Sequence, residues 1–240
     1  MKEKSHYHNI SSTTLFNFTD TFDRLVGNIR DGIYCGDIYE QLPQFGSPSG
    51  YIVPMVCFCD IPLGLIKEHL DWYGNYAIGI ERAYARTLNI CPVWYIHKDN
   101  PVVLKMFKSI ENKRELIGSP ILPYLKRFLG KQKPLLDDVA RLKKFYDERE
   151  WRYIPKEKGF EALFMMVDHI EAEIYAKDIT RKRSTHMPLE LGKIDYIIVK
   201  NDLEKRNLYP ILRQLSDERG IKYEDLISSI ITCTQIRRDF

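Results

Sequence analysis

The 240 residues carry 36 basic and 33 acidic side chains, a net charge of +3, with 44% apolar and 12% aromatic residues. That balance excludes a disordered chain and leaves any nucleic-acid surface to be argued from local patches. Five scattered cysteines give no disulfide framework and fit a reducing compartment. No apolar signal core or membrane-length run occurs, so a soluble cytoplasmic protein is expected.

The length suits one large domain, taken here as residues 1–240. After a polar lead-in, Thr14–Thr19 alternates as a strand, with Asn17 and Thr19 on one face and Phe16 and Phe18 on the other. Asp20 is the expected N-cap of a helix carrying Phe22, Leu25, Val26 and Ile29, and Gly32 is its expected stop. Residues 36–50, rich in Gly, Pro and Ser, read as a loop. Val53–Asp60 is a strand whose Cys57 and Cys59 share a face; with no second pair at zinc spacing, they are expected to be small core residues.

Pro62 begins a short helix, the Asp71–Tyr76 segment is an aromatic turn, and Ala77–Ile80 is a strand. Tyr84–Asn89 reads as a helix and Cys91–Ile96 as a strand. Between about 101 and 130, apolar residues at helical spacing predict an inserted helical hairpin, broken at Gly118-Ser119-Pro120, with its second helix over Ile121–Leu129. Lys131–Leu142 reads as a linker. Arg181-Lys182-Arg183 is a weak basic turn. Ile194–Val199 is a strand, Asn201 caps a helix, and Ser228–Gln235 is a closing strand.

The segment Tyr146–Pro155 concentrates charge beside Trp151. Glu148 and Glu150 are spaced so that a strand would place both carboxylates on one face, and two close carboxylates are expected to raise one pKa. A metal nuclease built on His69, His97 and His169 has no supporting spacing.

In order, an Asn-bearing first strand, a Cys-Phe-Cys-Asp strand, an aromatic turn and a late Glu-bearing strand resemble the ADP-ribosyltransferase fold. More closely, Phe16–Thr19, Pro54–Pro62, Tyr73–Gly79 and Asp147–Pro155 resemble the AbiGi family of abortive phage-infection proteins, over most of residues 12–200. The resemblance implies an α+β fold of split mixed sheets flanked by helices, with NAD as substrate and no metal. It implies Glu150 as the catalytic, ribose-binding acid and Glu148 as its helper. Asn17 and Thr19 would face the ribose, Tyr73 and Tyr76 would stack on nicotinamide, and Arg30 or Arg82 would meet the pyrophosphate.

Two functions follow from the resemblance. One is a phage-defence transferase that modifies RNA, DNA or protein. The other is a catalytically inactive antitoxin that binds a cognate toxin. Asn17, standing where polymerase-type relatives carry His, favours the second; the Glu148/Glu150 pair favours the first.

Overall fold

The computed structural model describes residues 12–41, 50–97, 99–103, 105, 121–135, 137–156, 165–167 and 185–239. It is a mixed α+β structure with one large sheet and several two-stranded sheets. The large sheet runs in the order β15 (Ile230–Thr232), β14 (Ile194–Val199), β5 (Tyr76–Glu81), β1 (Thr14–Thr19), β4 (Gly50–Cys59), β11 (Glu150–Tyr153) and β6 (Cys91–Pro92). All of these pairings are antiparallel except β14 with β15.

Strand alternation gives the sheet an apolar layer on each side. On one side Leu15, Ile78, Ile80, Ile197 and Val199 meet Leu25 and Ile29 of α1 (Phe22–Asp31) and Leu208, Leu212 and Leu215 of the long helix Asp202–Arg219. On the other, Phe16, Ala77 and Ile198 meet Ile66 and Leu70 of the α2 region (helix Lys67–Tyr73) and Ile236 of the last helix, Cys233–Asp239. Each such Leu, Ile or Phe contributes about 1.5–3 kcal/mol when fully buried.

Local signals fix the helix ends. Thr21, extended at φ −129°, caps α1 by accepting the Arg24 N–H at 3.3 Å. Asp20, expected in that role, lies one residue outside and instead holds the Arg24 guanidinium at 2.9 Å. Gly32 ends α1 at φ 94°, a conformation that favours glycine. Asn201 caps the long helix through the Glu204 N–H at 3.1 Å.

Several other expectations are corrected. Residues 36–41 form β3, which pairs along Gly50–Met55 of β4; residues 42–49 lie outside the described residues. The second helix of the expected hairpin is absent. Leu122–Tyr124 is a 3-10 turn, followed by β8 (Leu125–Arg127) and β9 (Leu129–Gln132). Pro123 supplies the reason, since it removes a backbone donor inside the expected helix, and the Tyr51 hydroxyl takes up the Leu122 carbonyl at 2.9 Å. Of the first helix only Pro101–Val103 and Lys105 are described, as helical.

The expected linker contains a hairpin, β9 paired with β10 (Arg141–Lys144). The closing strand is only Ile230–Thr232; helix takes over at Cys233. The basic turn at 181–183 and the polar lead-in through residue 11 lie outside the described residues. Among the described residues no helix is long and apolar enough to cross a membrane.

Candidate functional site

β4 organises the site because it serves different partners along its length. Its first half pairs with β3 and β12 (Met165–Val167), and its second half, Val56–Cys59, pairs with β11. β1 joins it only at Cys59. A cleft of about 1080 Å³ opens where these pairings part. Asn17, Phe18 and Thr19 all line it, and so do the consecutive residues 36–40 of β3. Successive residues of a strand point to opposite faces, so β1 and β3 both turn an edge to the cleft. Cys57 and Cys59 of β4, Lys126 of β8, Tyr73 of α2, and Glu148 and Glu150 line it as well, beside further cations at Arg24, Arg127 and Lys131.

The acid pair is not carried on one strand as expected. Glu148 ends the 3-10 turn Phe145–Glu148, and Glu150 starts β11. Arg149 between them is left-handed at φ 47°, a turn that brings both carboxylates to one ammonium. Lys126 Nζ lies 3.0 Å from Glu148 Oε2 and also contacts Glu150 Oε2.

Further cations surround the pair. Lys143 of β10 reaches Glu148 Oε1 at 2.6 Å, and the Tyr73 hydroxyl donates to the same oxygen. Arg152 of β11 donates from Nε to Glu150 Oε1 at 2.6 Å and from Nη2 to Glu40 of β3. The Tyr95 hydroxyl accepts the Glu150 N–H at 2.8 Å. Glu148 and Glu150 are each 2% exposed and Arg152 is 0% exposed.

Charge at this depth requires compensation, and the protonation states follow from it. Burial pushes both carboxyls up, but the cations win. Arg152 and Lys126 hold Glu150 down at about 2, and Lys126 and Lys143 hold Glu148 below the usual range. The expectation that one acid of the pair is raised is therefore corrected. Burial lowers both lysines, yet Lys126, facing two carboxylates, ends well above the ordinary value, whereas Lys143 ends below it. Burial pushes up the Tyr73 phenol and the Cys57 and Cys59 thiols, with the neighbouring carboxylates adding to it.

The remaining expected site residues divide. Asn17 lines the cleft and donates Nδ2 to the Cys57 carbonyl at 2.9 Å; Thr19 and Tyr73 line it too. Tyr76 points elsewhere, donating its hydroxyl to Glu204 at 2.8 Å. Arg82 lies 3.6 Å from Asp60, and Arg30 is exposed at the end of α1; neither these two nor Tyr76 lines the cleft. Sequence reasoning missed Lys126, Lys143, Glu40 and the inward role of Arg152. The two-residue step from Glu150 to Arg152 was a usable signal. The lysines left none, because tertiary contacts alone bury them.

His69 sits behind Tyr73, its ring 6.1 Å from the Tyr73 ring and 6.0 Å from Phe18, and among the described residues neither ring nitrogen has a hydrogen-bond partner. Burial, reinforced by Lys143, lowers its pKa to about 4. The unfolded imidazole takes its proton near 6.5, so the unfolded chain binds more protons between those values. Stability is therefore expected to fall as pH drops from about 6.5 towards 4, by up to about 3 kcal/mol. Glu150, whose pKa is depressed, adds a further loss below about 4.5. Urea unfolding across pH 4–8 checks this. His69→Phe should flatten the upper part of the profile; an unchanged profile would remove His69 from the account.

With this geometry in view, the chain matches the family model described as "Putative abortive phage resistance protein AbiGi, antitoxin" over residues 44–200, more than half its length. The chain belongs to the AbiGi family. It is similar to the abortive phage resistance protein AbiGi of Lactococcus lactis subsp. cremoris, with 26% identity over 238 residues, covering 84% of this chain and 95% of that protein. No solved structure matches. The family segment includes the acid pair and its three cations, while β1 and β3, which also line the cleft, precede it.

Proposed function

We propose that this AbiGi-family chain serves abortive phage resistance as an antitoxin that binds a cognate toxin protein. In this reading its cleft has the layout of an ADP-ribosyltransferase but no transfer activity. The observation that carries it is the neutralised acid pair. Cleaving a nicotinamide–ribose bond passes through an oxocarbenium-like state, which negative charge beside the ribose stabilises. Here Lys126, Lys143 and Arg152 already contact Glu148 and Glu150. Two unit charges 4 Å apart interact by about 4 kcal/mol at an effective dielectric of 20, so each cation opposes what its carboxylate would supply. Asn17 likewise commits one of its two amide N–H donors to the Cys57 carbonyl.

A second reading, an NAD-dependent ADP-ribosyltransferase acting on RNA, DNA or protein, is favoured by one observation. Asn17, Thr19, Tyr73, Glu148 and Glu150 line a single cleft, whose volume exceeds the roughly 300–1,000 Å³ of ordinary ligand pockets.

Two measurements separate the readings. The first is transfer of label from NAD to bulk RNA, DNA and protein by the wild type and by Glu150→Gln. The second is rescue of cells expressing the toxin of the same defence pair. The antitoxin reading expects no label from either protein and full rescue by the wild type. Label that disappears in Glu150→Gln would establish the transferase instead.

A further inference from the structure

The buried cluster obeys a charge count. Among the described residues, three carboxylates, Glu40, Glu148 and Glu150, meet three cations, Lys126, Lys143 and Arg152, through direct contacts. Lys126 differs from the other two cations. Among the described residues it alone bridges the acid pair, and it is supplied by β8, a three-residue strand whose one described sheet neighbour is β7 (Trp94–Ile96). Arg152, by contrast, lies in β11 between β4 and β6, and Lys143 lies in the β9–β10 hairpin.

We propose that Lys126 is a positioning residue that keeps both acids of the pair ionised, and that removing its ammonium from the cleft delivers one proton to the pair. The inference rests on the reading that the site is silent as folded, and it names the residue that silences it.

The reasoning is electrostatic. Without Lys126 the cluster holds three carboxylates and two cations in a site where Glu148, Glu150 and Arg152 are almost fully buried. A buried net charge is costly, and a carboxylate relieves it by taking a proton from solvent. Among the described residues the other groups facing the pair do not supply the missing charge; of the further cations lining the cleft, Arg24 is held by Asp20, Arg127 bonds the Lys131 carbonyl, and Lys131 is exposed. Tyr73 from α2 and Tyr95 from β7 are neutral hydroxyls. Cys57 and Cys59 from β4 are thiols pushed up by burial. Arg149 and Arg82 are turned to Asp60.

The protonated pair would be one carboxylic acid beside one carboxylate. That is the arrangement suited to proton transfer, and the one that the resting cluster suppresses.

Lys126→Met tests this, because methionine retains apolar contact with Phe145, over whose ring the ammonium sits at 4.9 Å. Difference infrared spectroscopy of the full chain at pH 7 should show a protonated carboxyl C=O band in Lys126→Met that is absent from the wild type and from Lys126→Arg. Either Lys126→Met/Glu148→Gln or Lys126→Met/Glu150→Gln restores the charge count and should abolish the band. A spectrum of Lys126→Met without the band, or a band that survives in both double variants, overturns the proposal.

If Lys126→Met fails to fold, the balanced double variants remain informative. They should fold with at least part of the wild-type stability, and equal failure would overturn the charge-count argument. Neither readout involves NAD or a toxin, so failure here is distinct from failure of the antitoxin reading.

Discussion

Replacing Arg152 with methionine is expected to lower the unfolding free energy by about 3–5 kcal/mol, the usual consequence of removing one member of a buried ionic group. Methionine fills the volume of the aliphatic stem, so the loss is not chiefly one of packing. It comes from Glu150 and Glu40, which both lose their guanidinium contact, and from the Pro123 carbonyl, which loses a donor at 2.5 Å. Urea unfolding at pH 7 measures the loss, and adding Glu40→Gln should recover part of it. A loss under about 1 kcal/mol, the range of exposed pairs, would mean that water already screens the cluster.

Gly74→Ala should destabilise by about 3 kcal/mol or more, combining backbone strain of about 1–3 kcal/mol with steric overlap. Gly74 stands between α2 and β5 at φ 116° and ψ 170°. An added Cβ would lie 2.5 Å from the Thr19 carbonyl oxygen and 2.9 Å from the Asp20 Cα. Both are backbone atoms, so no rotamer change relieves the overlap and the end of β1 must shift. Since Thr19 lines the cleft, faster hydrogen exchange at Asn17–Thr19 should accompany the loss. Gly36→Ala is the control, because a Cβ there meets nothing within 4 Å. Equal losses at the two positions would refute the steric argument.

The parts of the fold that could be read from the sequence are those where one period dominates. β1, β5 and β14 alternate or run apolar, and the long helix Asp202–Arg219 has both its Asn201 cap and its apolar spacing. The Ile121–Leu129 segment misled because five apolar residues fit a helical face, while Pro123 and the parallel β7–β8 pairing decide otherwise. The candidate site was half legible. Asn17, Thr19, Tyr73, Glu148 and Glu150 were named from residue type and order, and one cleft receives them all. The protonation of the acids was misjudged because it depends on lysines 22 or more residues upstream for Lys126 and on the β10 strand for Lys143. No local pattern announces a buried lysine.

The dependence of β4 on partners distant in the chain has a consequence during synthesis on the ribosome. When Cys59 has emerged, β3 is already available as a hairpin neighbour, but β11 is still some ninety residues from completion. Until then the Val56–Cys59 backbone lacks that neighbour, on a run of Val, Cys and Phe with no charged side chain. Such a bare strand invites pairing with other nascent chains. Chains terminated between residues 60 and 149 should accordingly collect in inclusion bodies to a greater extent than the full-length chain.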